Sequence, residues 1–429
     1  MDRIEIRDPV HGYVILNELE RKVIDSPVFQ RLRRIRQLAG AYLAYPGAQH
    51  TRFEHSIGCL YLAGLTTSSL SNKVNLTSED IQEVRLASLL HDIGHGPFSH
   101  LFDEILVEKA MIRHEDLTER IIAETDIRDI LNSYGINHKE ISRLALGQSK
   151  KKPKFMNDIV AGILSVDSMD YLLRDSYFTG VEYGKVDVQR LINSFEVVNE
   201  SLALDQASLY AFEALMIARY EMFKAVYFHR TVRAGGIMLL RAMSLSDETL
   251  GFTDLKSIQR YLTLGDDVAL QMMVDLSPKG NERLKTAKKL AKDYQERNLL
   301  KCVYERLVHR NDKIFSKIFS QRGVRKEITL RIASSARVIP DDVYVDVPTA
   351  PSVPLTSERK TMTSLTLVSK SAQGNRNDVV RLEDMPLIGS IVGFMDIIRV
   401  YTSSRHRLPV ERAANEFFGN EQSKKTVLK

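Results

Sequence analysis

The stretch from residue 52 to residue 115 constrains this chain more than any other, because it concentrates side chains that bind metal ions. It contains five of the eleven histidines, namely His55, His91, His95, His100 and His114. Imidazole nitrogen and carboxylate oxygen together hold a divalent cation and leave positions open for water and substrate. The alternative is that each histidine is a core residue satisfied by a backbone carbonyl. For five histidines so close together, a catalytic metal centre is the better interpretation.

The pattern around His91 and Asp92 places this pair at the end of a helix. Residues 78–92 predict a helix that Ser78 caps, with acidic residues in its first turn. Pro97 prevents simple continuation of that helix. The histidines that follow are therefore expected on a bent connection close to the helix end.

A second predicted helix opens near residue 25 and has a basic face. Asp25 or Ser26 caps it, and Pro27 fits its first turn. The face opposite its apolar stripe consists of Gln30, Arg31, Arg33, Arg34 and Arg36. Such a face is usually only solvated, but it is equally suited to an anionic ligand or a partner subunit.

Two further stretches have polar and aromatic side chains at helical spacing. The first stripe consists of Asp167, Asp170, Tyr171, Arg174 and Asp175. It contains a tyrosine and no Lys or Glu, which favours a pocket wall over the wet face of a surface helix. The second stripe consists of Arg219, Phe223, Tyr227 and Arg230. It suits a sugar and phosphates, although a helix–helix contact has the same pattern.

Length and composition indicate a soluble, cytoplasmic globular protein of two or three domains. The chain has 429 residues, of which 44% are apolar and 27% charged, and its formal net charge of +5 is too small to argue for a nucleic-acid partner. Cys59 and Cys302 have no metal or redox spacing, which fits a reducing compartment. The N-terminus lacks a signal-peptide pattern, and the longest apolar run, near residue 390, is too short to span a bilayer.

The period of the apolar pattern changes along the second half of the chain. Residues 260–325 look helical and highly charged. Residues 343–347 and 363–369 predict strands joined by a proline-rich connection, and residues 389–401 predict an amphipathic closing helix. We therefore expect four regions: a core over residues 1–259, a helical extension over 260–325, a small α+β subdomain over 326–405 and a flexible tail over 406–429.

Four motifs make the chain resemble a known family. They are F-Q-R-L-R at residues 29–33, P-G-A-x-H-x-R-F-E-H at 46–55, H-D-I-G-H-G-P-F-S-H at 91–100 and D-Y-x-x-R-D at 170–175. Together they resemble the HD-domain deoxynucleoside triphosphate triphosphohydrolase family, and the similarity runs from Asp8 to about Tyr401. The resemblance implies a mainly α fold, with an HD-domain helical core and a small C-terminal α+β subdomain.

The resemblance also implies roles for individual residues. The ligands of a divalent metal ion, whether Mg, Mn, Fe, Co, Ni or Zn, would be His55, His91, Asp92 and Asp167. The residues that match proton-transfer positions are His95, Asp103 and His114, and either histidine could be the general acid. The residues that match substrate-binding positions are Gln37, Leu38, Arg52, Tyr171, Asp175, Arg219 and Tyr227. One departure is Ser168, which stands where the vertebrate enzyme of this family has a phosphate-binding lysine.

Active members of this family are tetramers that bind activating nucleotides between subunits. Asp25, Gln30 and Arg33 match the positions that recognise guanine there. The resemblance thus implies a homotetramer that GTP or a dNTP activates. The second activating site of the family has no convincing match in the basic residues before Arg219.

The expected reaction is hydrolysis of a dNTP to a deoxynucleoside and inorganic triphosphate, with metal-activated water attacking the α-phosphorus. Two alternatives stay open from the sequence. One is an HD phosphohydrolase that acts on a nucleoside monophosphate or a cyclic nucleotide. The other is a nucleotide-sensing or nucleic-acid-binding protein in which the metal site has no catalytic role.

Overall fold

The computed structural model describes residues 4–308, 318, 321–347, 349–351, 364–371, 374–391 and 394–419. Helices dominate, and most of the strands lie in the C-terminal part of the chain. This arrangement confirms the predicted mainly α fold with a small C-terminal α+β region. Among the described helices, none is both long enough and apolar enough to cross a membrane.

The chain starts with a β-hairpin and three short helical segments. Their bounds are β1 Ile4–Asp8, β2 Gly12–Leu16, α1 Glu18–Asp25, α2 Pro27–Gln30 and a 3-10 turn at Arg31–Arg34. The predicted helix near residue 25 starts at Pro27 with Ser26 as its cap, but it ends sooner than expected. Its basic face is only partly solvated, because Arg31 is buried and donates to the carbonyl oxygens of Ile93 and His95.

Eight helices form the core that contains the sequence motifs. They are α3 Arg52–Leu70, α4 Ser78–Leu90, α5 His100–Ala110, α6 His114–Glu124, α7 Asp126–Ser133, α8 His138–Ala145, α9 Lys154–Ala161 and α10 Val166–Thr179. A capping box between Thr51 and Glu54 starts α3. Thr77 caps the N-terminus of α4 in place of the predicted Ser78. At the other end of this helix, His91 is the C-cap and Asp92 lies just beyond it.

A second layer of helices and a four-stranded sheet cover this core. The bounds are α11 Val188–Asn193, β3 Phe195–Val198, β4 Ser201–Asp205, α12 Leu209–Met222, α13 Arg230–Leu250, β8 Ser364–Ser371 and β9 Gly374–Arg381. The strand order is β3-β4-β8-β9, in which β8 runs parallel to β4. The strand predicted from residue 363 is thus present from Ser364 onward, while Thr363 lies outside the described residues. It completes a core sheet instead of belonging to a separate C-terminal subdomain.

The predicted helical extension over residues 260–325 is helical in its first part and again from Arg322, but it contains a strand, and residues 309–317, 319 and 320 lie outside the described residues. Its elements are α14 Ile258–Leu262, α15 Asp266–Val274, α16 Glu282–Gln295 and β5 Lys301–Val308. The prediction is wrong at β5, because this charged segment pairs along its length with a later strand. Tertiary pairing here overrides a composition that favours helix.

The C-terminal region is built on a second sheet that β5 shares. Its remaining elements are α17 Arg322–Ala336, β6 Val343–Asp346, β7 Thr349–Pro351, α18 Pro386–Ile391, β10 Phe394–Thr402 and α19 Arg407–Phe418. The strand predicted at residues 343–347 is confirmed as β6. The proline-rich connection after it lies mostly outside the described residues.

Two predictions for this region are wrong. The closing helix predicted over residues 389–401 is mostly the strand β10, which pairs with β5 on one side and with β6 and β7 on the other. Its buried apolar side chains Ile397, Ile398 and Val400 are adjacent in sequence except for Arg399, and both a central strand and a buried helix can have such a pattern. The flexible tail predicted from residue 406 is the helix α19 up to Phe418, and its buried face includes Val410.

Candidate metal centre and active site

Four side chains from three elements of the core converge on one point. His55 comes from α3, His91 and Asp92 from the end of α4, and Asp167 from the first turn of α10. His55 Nε2 lies 3.2 Å from Asp167 Oδ1 and 3.5 Å from Asp92 Oδ2. His91 Nε2 lies 3.4 Å from Asp92 Oδ1 and 3.8 Å from Asp167 Oδ1. The structure thus brings together all four residues that the sequence predicted as metal ligands.

The donor set fits a divalent metal ion. Ligand atoms that surround such an ion at its usual bond lengths lie roughly 3.0–3.6 Å from one another, close to the distances here. His91 Nδ1 donates to the carbonyl oxygen of Ser88 over 2.7 Å, which leaves the lone pair on Nε2. That Nε2 atom is buried and has no hydrogen-bond partner among the residues that the structure describes. An unpartnered buried nitrogen facing two carboxylates is what a metal ligand requires.

Cys59, one turn after His55, is the other candidate ligand near this point. Burial raises the pKa of Cys59 to about 12, although the neighbouring His55 opposes the shift. The protonated thiol is a poor metal ligand, since the thiolate is the form that binds metals. Asp92, which faces both histidines, is therefore the better fourth ligand.

A second cluster lies beside the first and contains the predicted proton-transfer residues. The rings of His95 and His114 stack with their centroids 3.8 Å apart. His114 Nδ1 donates to Asp103 Oδ2 over 2.7 Å, and His100 Nδ1 lies 3.3 Å from the same oxygen. His95 Nε2 lies 3.3 Å from Asp92 Oδ1, so the second cluster touches the first.

The two stacked imidazoles have opposite tendencies to hold a proton. Burial, together with the positive charge of Arg52, lowers the pKa of His95 well below its usual range. Burial also disfavours the charged form of His114, but the hydrogen bond and the negative charge of Asp103 outweigh it and raise the pKa of His114. The environment therefore favours a neutral His95 beside a protonated His114.

The loop between His95 and α5 is held in a strained conformation. Phe98 and Ser99 have φ angles of 60° and 54°, which non-glycine residues rarely adopt. Asp266 Oδ1 accepts the Phe98 amide over 2.7 Å. Ser99 Oγ accepts from Arg52 Nε over 3.0 Å, and Arg52 also pairs with Asp92. This loop conformation thus places the Ser99 hydroxyl where it holds the Arg52 guanidinium beside the predicted metal ligands.

These groups open into one cavity of about 550 Å³. Its lining includes all seven residues that the sequence predicted to bind substrate, namely Gln37, Leu38, Arg52, Tyr171, Asp175, Arg219 and Tyr227. Arg219 contacts the Tyr171 hydroxyl. Ser168 also lines the cavity, so this position provides no positive charge. The volume lies within the usual range for small-ligand pockets.

The cavity lining also includes a buried carboxylate, Asp175, that has two partners. Asp175 accepts from the Tyr227 hydroxyl over 2.7 Å and from His50 Nε2 over 2.7 Å. His50 is buried and stacks on Phe178. The sequence analysis did not single out His50, although it belongs to the motif at residues 46–55.

The backbone of the His-Asp segment also has partners that the sequence did not reveal. Arg31 and the Tyr261 hydroxyl donate to the carbonyl oxygens of residues 93–95, over 2.6 Å for His95 and 2.7 Å for Gly94. A Cβ on Gly94 would overlap the backbone at His114 and Thr118. Glycine at this position therefore allows α6 to bring His114 next to His95.

The three predicted activator-binding residues lie together but outside this cavity. Asp25 pairs with Arg21 over 3.1 Å, Gln30 Nε2 donates to the Ile24 carbonyl, and Arg33 Nε donates to Gln30 Oε1. None of the three lines the cavity. They form a separate surface on the first helical segments.

The comparisons with known proteins agree with this geometry. The HD domain profile matches residues 52–175, and the profile of the HD associated region matches residues 186–429. A hypothetical protein from Aquifex aeolicus, whose crystal structure is known, superposes with a TM-score of 0.76 at 29% identity, covering 96% of this chain and all of that one.

Curated relatives include an uncharacterized protein of Methanocaldococcus jannaschii, 35% identical over 63% of this chain and 55% of its own length. The Dictyostelium discoideum homolog of deoxynucleoside triphosphate triphosphohydrolase SAMHD1 is 31% identical over 72% of this chain and 61% of its own length. The human protein of that name is 30% identical over 70% of this chain and 55% of its own length. The chain thus spans between about half and two thirds of the curated relatives that it matches.

Proposed function

The chain belongs to the HD-domain family, with the HD associated region that follows the HD domain, and from this premise we propose that it is a metal-dependent phosphohydrolase that cleaves a dNTP into deoxynucleoside and inorganic triphosphate. One observation supports the proposal most. Of the four predicted metal ligands, called the quartet below, His91, Asp92 and Asp167 line the same cavity as Arg52 and Arg219, and the hydrogen-bonded pair Asp175 and Tyr227 lines it as well. Phosphates beside the arginines and a sugar beside Asp175 and Tyr227 fit this distribution of charge.

The proposed mechanism assigns a function to each group in the cavity. A divalent ion held by His55, His91, Asp92 and Asp167 would supply an activated water molecule and neutralise phosphate charge. Arg52 and Arg219 bind the phosphates. The water oxygen adds to the α-phosphorus, and the bond from that phosphorus to the 5′-oxygen of the sugar breaks.

The leaving 5′-oxygen needs a proton, and we assign its donation to His114. The hydrogen bond and the charge of Asp103 raise the pKa of His114, which favours its protonated form, and Asp103 orients the ring. General acid catalysis of this kind contributes about 10²- to 10⁴-fold. Burial and the charge of Arg52 lower the pKa of His95, which favours its neutral form. At the sugar end, Tyr171 and Tyr227 flank the ribose position, and Asp175 accepts from the 3′-hydroxyl.

The pH dependence of turnover tests the role of His114. Since the folded pKa of His114 is raised, the protonated donor persists above pH 6.5 and is lost as the pH rises further. We expect kcat to fall on the alkaline side of the profile as His114 loses its proton. Asp103→Asn removes the charge that raises this pKa, so the alkaline limb should move down by about one pH unit or more. A profile of kcat from pH 5.5 to 9 for both proteins measures the shift, and an unmoved limb would exclude His114 as the acid.

Product analysis tests the substrate. Metal-reconstituted protein is incubated with each dNTP singly, with the mixture, and with ribonucleotides, nucleoside monophosphates and cyclic nucleotides, and phosphate products are separated by chromatography. We expect deoxynucleoside and inorganic triphosphate from dNTPs alone. Pyrophosphate released from a dNTP would contradict the proposed site of cleavage, and turnover only of a monophosphate or cyclic nucleotide would support the other HD phosphohydrolase reaction. If the protein hydrolyses none of these compounds, the alternative of a nucleotide-sensing or nucleic-acid-binding protein is supported.

Regulation and assembly are part of the proposal. The surface formed by Asp25, Gln30 and Arg33 combines an acceptor for a base with a cation for phosphate, which supports binding of an activating nucleotide there. By similarity to the SAMHD1 proteins, we propose GTP or a dNTP as the activator and a homotetramer as the active form. The two free cysteines support a reducing, cytoplasmic location. Unchanged turnover of one dNTP on adding GTP or a second dNTP would exclude activation.

A further inference from the structure

The motif D-P-V-H-G at residues 8–12 has no part in the reaction proposed above. In the fold it is the turn that joins β1 to β2. Asp8 Oδ1 accepts the amides of Val10 and His11 over 2.9 and 2.8 Å, and Gly12 has a φ of +81° that suits glycine. These contacts shape the turn, but they leave Asp8 Oδ2 and the His11 ring free to bond elsewhere.

The His11 ring points to Asp170, a fully buried carboxylate on α10. Its Oδ1 accepts from His11 Nε2 over 2.6 Å and from Arg174 Nη2 over 2.8 Å. Its Oδ2 accepts from His55 Nδ1 over 2.7 Å and from Arg174 Nε over 2.8 Å. A carboxylate has about four lone-pair sites, and all four are used here. Asp170 therefore has one orientation available to it.

Asp8 closes this network from the other side. Its Oδ2 accepts from Arg174 Nη1 over 2.8 Å, so the guanidinium lies between two carboxylates. The side chains of Asp8, Asp170 and Arg174 are at most 3% exposed, and that of His11 is 6% exposed. Removing one member would leave a buried partner without its bond, which is costly in a dry interior.

The network determines which nitrogen of His55 faces the metal position. Because Asp170 can only accept, His55 Nδ1 carries the proton and the lone pair is on Nε2. That Nε2 is the atom near Asp92 and Asp167. Two carboxylates and one guanidinium also leave a net negative charge behind the ring, which raises its basicity as a ligand.

We propose that His11 and Asp8 are positioning residues of the metal centre, acting on His55 through Asp170 and Arg174. The inference rests on the proposed role of His55 as a metal ligand. The N-terminal hairpin is then a structural part of the active site, although none of its atoms touches the metal. Metal affinity, and not only folding, should depend on it.

The test measures Co²⁺ binding to metal-free protein by chelator competition and by the d–d absorption spectrum, with thermal unfolding without metal recorded alongside. We expect His11→Ala to bind Co²⁺ about 10- to 100-fold more weakly, with a changed spectrum, the range typical for loss of an outer partner of a ligand. His11→Gln keeps an N–H donor and should regain most of the affinity. Ile15→Ala, at an exposed position of the same hairpin, is the matched control and should bind as the parent does.

Two outcomes separate this inference from the proposed function. If His11→Ala binds Co²⁺ with unchanged affinity and spectrum, the inference is wrong while the metal site stands. If the parent protein itself binds no Co²⁺, the proposed metal site is wrong, and with it the proposed function on which this inference rests.

Tyr61→Leu removes the ring that stacks on His11 but keeps the bond to Asp170, and an equal loss of affinity in that variant would also overturn the inference. Should His11→Ala fail to fold, His11→Gln and Asp8→Asn decide: unchanged Co²⁺ affinity in Asp8→Asn overturns the inference.

Discussion

Asp167→Ala should abolish hydrolysis, by about 10³-fold or more, while the protein stays folded. Asp167 faces both histidines of the quartet, and its carboxylate is a direct ligand in the proposed site. The effects of a catalytic metal are together worth several kcal/mol, and each 1.4 kcal/mol is tenfold in rate. The side chain is 39% exposed, so its removal leaves no large buried cavity. Turnover and bound metal per chain, the latter by elemental analysis, should fall together.

A surface carboxylate on the following loop provides the control for this variant. Glu182 is 77% exposed and, within the described part of the chain, forms an ion pair with Lys185, which is 65% exposed, so Glu182→Gln should leave both metal content and turnover unchanged. Asp167→Ala protein that retained metal and more than about a tenth of the activity would contradict the assignment of Asp167 as a metal ligand, since loss of a ligand should cost far more than tenfold in turnover.

Gly58→Ala should destabilise the protein by about 3 kcal/mol or more and weaken metal binding at the same time. A Cβ at this position of α3 would overlap Asp170 Oδ1 and Arg174 Nη2. Both groups are fully buried and ion-paired, so neither can move into solvent. Because Asp170 orients His55, displacing it should reach the metal centre. Thermal unfolding and Co²⁺ affinity report the two effects separately.

Gly323→Ala is the matched substitution for Gly58→Ala. Gly323 also lies in a helix, α17, but a Cβ there meets no atom within 4 Å. Its substitution should be neutral or slightly stabilising, because alanine favours helix. If Gly58→Ala unfolded at the same temperature as the parent, the close approach of α3 and α10 would not be the reason for glycine at this position.

The sequence predicted that the four side chains of the quartet lie together, because its motifs are local and their chemistry is specific. His91 and Asp92 are adjacent, and Asp167 lies in a polar stripe whose helical period places it on one face. The supporting residues were harder to find, since each acts across a long sequence distance. Arg31 looked like one of several solvated arginines, yet its guanidinium binds the carbonyl of His95. Only the tertiary structure shows where such a side chain points.

The errors in the fold have a similar cause. The segment around residues 394–402 is apolar enough for either a buried helix or a central strand, and the neighbouring strands β5 and β6 decide between them. The charged segment that forms β5 has no alternation to indicate a strand. The last helix, α19, was missed because its small buried residues, Ala413 and Ala414, do not form a conspicuous apolar stripe.

The parallel pairing of β4 with β8 has a consequence for how the chain reaches its native state. β4 leaves the ribosome long before β8, so the edge that β8 will cover stays unpaired while the C-terminal region is being made. Non-local pairing of this kind slows folding and prolongs exposure of a strand edge. Residues 4–250 expressed alone would keep that edge open permanently. Such a fragment should aggregate even though it contains every residue of the proposed catalytic site.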